Sequence, residues 1–365
     1  MNADKSILEI RNLQVKRGGV SVLNIPHLDV PEGKVMSLIG PNGAGKSTLL
    51  FALSRLLKSV QGDIIFRGQT IDKNHSLFAY RRKIAMVFQE SLLFDTTVFE
   101  NVASGLKIRG MRHHEIGQVV DDYMGRFGIS HLVDRSARKL SGGEAQRTSL
   151  ARAFATKPEI IFLDEPFSSL DPPTRESLTG DLERILRETG TTTIMATHDQ
   201  MEALRLSDRI AVMNQGKIAQ IGTPEQVMNH PVDEFVASFV GMETVFSGHV
   251  TKIYDGTFIT SVSEREVEAV GAVSMGDRVV CFIRPENVIL SRNPSEEITS
   301  ARNVFPGIIV KIIPMGLFHK IQLDCGFSLV AYVTHQSLEN MSLKEKDHIY
   351  ASFKATAVHV IRKEK

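Results

Sequence analysis

Residues 35–55 read Val35-Met36-Ser37-Leu38-Ile39, then Gly40-Pro41-Asn42-Gly43-Ala44-Gly45-Lys46-Ser47, then Thr48-Leu49-Leu50-Phe51-Ala52-Leu53-Ser54-Arg55. The first run is largely apolar and follows the turn Pro31-Glu32-Gly33, which predicts a buried strand. The last run has apolar residues at helical spacing. Between them stands GxxxxGK[ST] in the strand-to-helix setting that gives this pattern its meaning. Its glycines let successive N–H groups converge on one point, where a helix dipole also favours negative charge. Lys46 is expected to reach the β- and γ-phosphates of a nucleotide, Ser47 to ligate Mg²⁺, and Thr48 to donate to the α-phosphate.

Working outward, residues 7–39 predict short strands, ILEI, VSVLNI and VMSLIG, and residues 90–157 predict a helical insertion. Ile160-Ile161-Phe162-Leu163-Asp164-Glu165 and Thr192-Thr193-Ile194-Met195-Ala196-Thr197-His198-Asp199 return as buried strands around the helix-like LTGDLERILRE. This alternation implies an α/β fold with a mostly parallel sheet. Asp164 then emerges at the carboxyl end of its strand, where open parallel sheets bind ligands. It would hold Mg²⁺ through water, and Glu165 would polarise the attacking water.

From about residue 242 the texture becomes all-β and repeats itself. Val245-Phe246-Ser247-Gly248 with Lys252-Ile253 matches Val304-Phe305-Pro306-Gly307 with Lys311-Ile312. Asp277-Arg278-Val279, Arg284 and Val288 match Asp347-His348-Ile349, Lys354 and Val358 at a different offset, so an insertion lies between the two matches. The expected division is 1–240, then two short-stranded units, 242–297 and 298–365.

The 365 residues carry 43 Lys+Arg against 42 Asp+Glu, so no general electrostatic attraction draws the chain to nucleic acid. Cys281 and Cys325, without CxxC spacing, make no zinc site or disulfide framework and fit a reducing compartment. No stretch reaches the roughly 18 apolar residues of a membrane-spanning helix. The start lacks the apolar core of a signal peptide. A soluble or peripheral protein is expected, with any membrane part in other chains.

Leu140-Ser141-Gly142-Gly143-Glu144-Ala145-Gln146-Arg147 resembles the signature of ABC ATPases, with Glu144 where Gln is usual. The resemblance covers 7–240. It implies that Gln89 is the Q-loop glutamine, contributing to catalysis and Mg²⁺ binding, that Ser169-Leu170-Asp171 is the D-loop, and that His198 is the switch histidine on the γ-phosphate. It also implies a head-to-tail homodimer, or a pair with a close relative, in which Ser141, Gly142, Gly143 and Asp171 of one chain complete the ATP site of the other. Arg17 stands where the family carries an aromatic residue on adenine; it either stacks on the base through its guanidinium or is simply solvated. The resemblance further implies membrane-spanning permease subunits docked near Phe94, Thr97 and Val98, an indirect link to a substrate-binding protein, and a place on the cytoplasmic face of the membrane.

Ser300-Ala301-Arg302-Asn303 and Ala351-Ser352-Phe353-Lys354-Ala355-Thr356-Ala357-Val358 resemble a molybdate/tungstate-binding domain of the Mop/TOBE type, an OB-like β barrel. That implies an oxyanion site at Ser300, Arg302, Lys354, Ala355 and Thr356, with Thr334 and Ser337 further candidates. A unit that only dimerises the ATPase is the alternative. The segment Arg284-Pro285-Glu286-Asn287 of the first unit departs from this pattern and is expected to be structural. The implied function is the ATPase of an importer for molybdate or tungstate. Sulfate or ferric iron as cargo, and an oxyanion-sensing ATPase with no transport partner, remain open.

Overall fold

The computed structural model describes residues 5–57, 60–71, 77–293 and 300–363. They form two compact units, Met1–Pro224 and Glu225–Lys365.

In the first unit, Ser6–Arg17 and Val20–Pro31 pair as a long antiparallel hairpin, turned by Gly18 and Gly19 at positive φ. The two strands have 12 residues each, longer than the short runs expected, because polar residues on their outer face break the apolar runs without breaking the strands. With Val60–Phe66 and Gln69–Thr70 they make a four-stranded antiparallel sheet. A second sheet runs in the order Lys217–Gly222, Arg209–Asn214, Val35–Ile39, Thr192–Ala196, Ile160–Asp164, Ile84–Val87. All its neighbours are parallel except the edge strand Lys217–Gly222.

The three central strands are buried at every position. Their continuous apolar character follows from having a core on each face. Ile160 and Phe162 join Ile10, Ile64 and Leu50 in a core shared with the antiparallel sheet, while Ile161 and Leu163 join a core built with helices. Those helices are Val98–Ile108, His113–Arg126, Gly142–Ala155 and Pro172–Thr189. The first three fall in the segment 90–157 that reads as a helical insertion. The carboxyl ends of the central strands deliver Gly40, Asp164-Glu165 and Thr197-His198 to one edge.

The second unit holds two five-stranded antiparallel sheets around a single core containing Phe246, Phe258, Ile309, Leu323 and Phe353. The expected repeat is visible. Thr244–Ile253 and Asn303–Pro314 alternate buried and exposed residues in the same phase, and each carries an irregularity at its second half, Val250/Lys252 and Ile309/Lys311. Arg278–Ile283 and His348–Phe353 each lead into a short turn of 3₁₀ helix, Pro285–Asn287 and Ala355–Ala357. The offset between the matches accommodates the helix His335–Asn340, which follows Ser328–Thr334 in the second copy.

Two expected boundaries need correction. The break at 240/242 moves to 224/225, since the helices Pro224–Asn229 and Glu234–Phe239 lead into a segment bonded to the β unit. Arg284 donates to the carbonyls of Met228 and Val240 (3.1 Å), and His359 donates through Nε2 to that of Pro231 (2.8 Å). The units 242–297 and 298–365 are not separate bodies either. The last strand, Val358–Arg362, completes the first sheet beside Arg278–Ile283, and Ile289–Ser291 completes the second beside His348–Phe353. Each repeat lends a strand to the other, which is why they share one core.

Candidate active site

The phosphate loop is built by backbone constraint. Gly40 has φ 152°, and a Cβ there would lie 2.2 Å from the Met213 carbonyl oxygen, so only glycine fits. Gly45, at φ 102°, sits against Leu23 and Gly216, and the Gly216 N–H donates to Ala44 O at 2.9 Å. Pro41, Asn42 and Gly43 are exposed along the loop and Ala44 is buried beneath it, and the helix Lys46–Leu53 begins immediately after Gly45 with Ser47 and Thr48 in its first turn.

Lys46 is almost wholly buried, its Nζ donating to Gly40 O (2.8 Å) and Pro41 O (3.2 Å). Burial lowers its pKa, and the nearby Glu165 and Asp164 oppose that shift. Ser47 Oγ donates to Asp164 Oδ1 at 2.7 Å. Burial is also the main reason the Asp164 carboxyl is raised above the usual range; Ser47 and Lys46 act against it and Glu165 with it. A hydroxyl and a buried carboxylate in contact form an oxygen donor pair whose charge is under-compensated, a set that fits Mg²⁺.

Glu165 has φ 45°, an uncommon conformation for a residue with a side chain. It is held there by its N–H bond to Ala196 O (2.9 Å) and by the Ser168 N–H on its own carbonyl. Glu165 Oε2 lies 3.0 Å from His198 Nδ1. His198 is exposed, but its neighbour is anchored: Thr197 N–H bonds Leu38 O, and Thr197 Oγ1 donates to the buried Glu202 at 2.5 Å. The pairing Val87↔Leu163 sets Gln89 and Glu165 each two residues beyond a matched position, so Gln89, exposed, leaves the sheet on the same edge.

Ser141 caps the helix Gly142–Ala155 in a reciprocal capping box: Glu144 N–H donates to Ser141 Oγ (3.3 Å), and Ser141 N–H donates to Glu144 Oε2 (2.7 Å). Those bonds hold the Glu144 carboxyl below the usual range, the Ser141 N–H foremost. The Glu in the signature therefore shapes the helix start. Gly142 is exposed, and a Cβ on Gly143 would meet Thr174 Cγ2 at 2.6 Å. Asp171, capping Pro172–Thr189, accepts from Thr174 N–H at 3.2 Å and is held below the usual range by Thr174. The signature loop and the Asp171 turn are thus adjacent in the same chain. Arg17 is exposed and pairs with Val20, two residues from the Val22 carbonyl that abuts Gly216 and Gly45.

Sequence reading missed the ties between the segment after Gln89 and the signature helix. Ser91 Oγ donates to the buried Gln146, and Arg152 donates to Leu92 O (2.8 Å) while lying 5.7 Å over the Phe94 ring. The signal was a glutamine at a core position of an amphipathic helix. Of the docking residues expected, Phe94 is exposed, but Val98 is core and Thr97 caps its helix. Phe78 and Ile108, also exposed, line a cavity of about 280 Å³ with Arg81, Arg82 and Arg109.

The five residues expected to form one oxyanion site are divided. Ser300 and Lys354 line a cavity of about 460 Å³ with Glu286, Asn287, Ser291 and Ser352. Arg302, Ala355 and Thr356 are not among the described residues lining it: Ala355 is buried, Arg302 is exposed elsewhere, and Thr356 faces a neighbouring cavity. The reason is the turn Ala355–Ala357, whose 3₁₀ geometry sends successive side chains to different sides. Glu286 and Asn287, expected to be purely structural, belong to the first cavity. Thr334 and Ser337 bond each other at 2.9 Å at the start of the helix His335–Asn340.

A glycine loop on a helix, a buried Lys-Ser-Asp set and a Glu-His pair at the edge of a parallel sheet define a nucleoside triphosphatase of the P-loop class. Residues 23–168 match the family described as ABC transporter, and residues 299–360 match the TOBE domain. The chain is 36% identical over 338 residues to the molybdate/tungstate import ATP-binding protein WtpC of Pyrococcus horikoshii, covering 91% of this chain and 93% of that one. It is 33% identical over 356 residues to the spermidine/putrescine import ATP-binding protein PotA of Thermotoga maritima, covering 95% of each. Among solved structures, cbiO1 from Clostridium perfringens, part of the ABC transporter complex cbiONQ, matches with TM-score 0.58 and 30% identity over 65% of this chain and 95% of that one. The chain belongs to the ABC transporter ATP-binding proteins: it is an ATP-binding ATPase of the importer type, with a C-terminal TOBE domain. No helix of the described residues is long and apolar enough to cross a membrane.

Proposed function

We propose that this chain hydrolyses ATP to drive uptake of molybdate or tungstate through membrane-spanning permease subunits, which receive cargo from a substrate-binding protein. The single observation that carries the cargo reading is that Ser300 and Lys354, distant in sequence, line one cavity with the hydroxyls of Ser291 and Ser352 and the amide of Asn287. A tetrahedral dianion needs several donors and a cation, which the polar side of this cavity supplies, while Ile289, Val304 and Phe353 line the rest of it. The cavity's carboxylate, Glu286, stands 3.7 Å from Arg284, which offsets its charge. Full-length similarity to WtpC agrees with this reading.

In the catalytic cycle, the backbone N–H groups of residues 42–48 and the Lys46 ammonium bind the phosphates. Ser47 and Asp164, with Gln89, would hold Mg²⁺, which supplies charge neutralisation at the β- and γ-phosphates. Glu165 orients and deprotonates the attacking water; His198, hydrogen-bonded to it, fixes its carboxylate and meets the γ-phosphate. Two chains pair head to tail, so that Ser141, Gly142, Gly143 and Asp171 of one close over the ATP of the other, and Arg17 lies beside the base. The Ser91–Gln146 and Arg152–Leu92 bonds carry that closure to the permease-docking surface around Phe78, Phe94 and Ile108. The protein sits on the cytoplasmic face of the membrane as a peripheral subunit. Oxyanion bound at the Ser300–Lys354 cavity holds the dimer open and inhibits transport when cargo is plentiful.

A second reading, polyamine import, is favoured by the PotA relatives of similar identity. A polycation would require several carboxylates, whereas Glu286 is the carboxylate lining this cavity among its described residues and Lys354 opposes it. Calorimetric titration of the full chain with molybdate, tungstate, sulfate and spermidine separates the readings. Molybdate and tungstate are expected to bind and to lose binding in Lys354→Ala; binding of spermidine alone would overturn the proposal.

A further inference from the structure

The second unit contains another cavity, of about 520 Å³, between the segment around Asn229-His230 and the turns 284–287 and 356–362. Its volume falls within the roughly 300–1,000 Å³ of small-molecule sites. Polar and cationic groups converge on it: His230, Arg284, His359, Arg362, Asn287 and Thr356. No Asp or Glu is among its described lining residues. Two carboxylates stand behind the arginines, Asp277 on Arg362 Nε (3.0 Å) and Glu286 near Arg284 (3.7 Å), and fix them from outside the wall.

Arg284 is pinned by its bonds to Met228 O and Val240 O, so its guanidinium is a fixed part of the wall. His359 is likewise fixed by Pro231 O. Burial lowers the His359 pKa, the Pro231 bond opposes that shift, and the nearby His230 and Arg284 add to it. The rest of the lining is apolar, with Met242, Val270, Val273, Val358 and Val360, the last two on the same strand as Arg362. A lone inorganic ion would leave that half of the cavity unmet.

We propose that this cavity binds a small organic phosphate, its phosphoryl group among Arg284, Arg362, Thr356 and His230 and its organic part against the valines. The site is independent of the ATP loop and of the cargo assigned above. Its place in the fold gives it reach: Asn287 and Ala357 line both this cavity and the one shared by Ser300 and Lys354.

The test is calorimetry on the full chain carrying Lys46→Ala and Lys354→Ala, which weakens phosphate binding at the loop and at the neighbouring cavity. Ribose 5-phosphate, inorganic phosphate and ribose are the probes. One ribose 5-phosphate per chain is expected, at least tenfold tighter than inorganic phosphate, with no binding of ribose. Arg362→Gln and Thr356→Val are each expected to weaken it at least tenfold. These are surface positions, chosen because Arg284→Gln would also release the Met228 and Val240 carbonyls. Absence of ribose 5-phosphate binding at millimolar concentration, equal affinity for inorganic phosphate, or affinity indifferent to both substitutions would overturn the proposal.

Discussion

Glu165 Oε2 and His198 Nδ1 stand 3.0 Å apart at the ends of adjacent parallel strands, and Glu165 reaches that position through a left-handed backbone. The pair is built by the sheet, not by a mobile loop, because the Glu165 N–H is bonded to the Ala196 carbonyl at the end of the strand that leads to His198. Glu165→Gln keeps the shape and removes the base. Hydrolysis is expected to fall by about 10²–10⁴-fold, the usual worth of a general base, while ATP binding persists. Size-exclusion chromatography with ATP should then show a trapped dimer; hydrolysis at the parent rate would remove Glu165 from this role.

Lys46 is the proposed link between the loop and its nucleotide. Removing its charge-assisted bonds in Lys46→Ala is expected to weaken ATP binding by about 2–3 kcal/mol, roughly 30- to 150-fold. Equilibrium binding of a fluorescent ATP analogue measures it.

Asp164 trades stability for chemistry. Its carboxyl is raised by burial, so the folded state resists its ionisation more than the unfolded chain does. Its contribution to stability is therefore most favourable below the ordinary aspartate pKa of about 3.9 and declines as pH rises from there through the raised folded value. Asp164→Asn keeps an acceptor for Ser47 Oγ without the charge. Thermal melts at pH 7 without nucleotide or Mg²⁺ should show a higher Tm for this variant, and ATPase assays should show it inactive.

The loop and the Asp164-Glu165 turn were legible in the sequence because each is local, a strand, a turn and a few polar residues in fixed order, whereas the role of His198, 33 residues from Glu165, came only from the family resemblance. The strand-to-helix reading of 35–55 and the helices of 90–157 rest on periodicity and the β repeat on matched segments, and the structure contains them. What was not legible depends on pairing between distant segments. Nothing in Val358–Arg362 says that it completes the first sheet of the C-terminal unit. The short helices Pro224–Asn229 and Glu234–Phe239 gave no sign that Arg284 and His359 would claim the carbonyls of that segment. The division of Lys354 from Thr356 turns on the geometry of one three-residue turn, which similarity of sequence does not specify.

The repeated Val-Phe-x-Gly supplies a matched stability test. A Cβ on Gly248 would lie 2.3 Å from Thr260 Oγ1 and 2.5 Å from Ser261 O; one on Gly307 would lie 2.5 Å from Cys325 Sγ. Gly248→Ala and Gly307→Ala are each expected to destabilise the unit by about 1–3 kcal/mol through overpacking. Gly248→Ala should cost more, because the backbone carbonyl of Ser261 would lie at 2.5 Å, against 3.1 Å for that of Asp324 at Gly307. Urea denaturation of the two variants gives the comparison.

Transport is the most direct test of the account. Uptake of labelled tungstate, with spermidine in parallel, is to be measured in cells that hold the permease and binding protein and depend on this chain for the ATPase. The wild-type chain is expected to restore tungstate uptake, Glu165→Gln to abolish it, and spermidine uptake to be unaffected by either. Restored spermidine uptake without tungstate uptake would contradict the account.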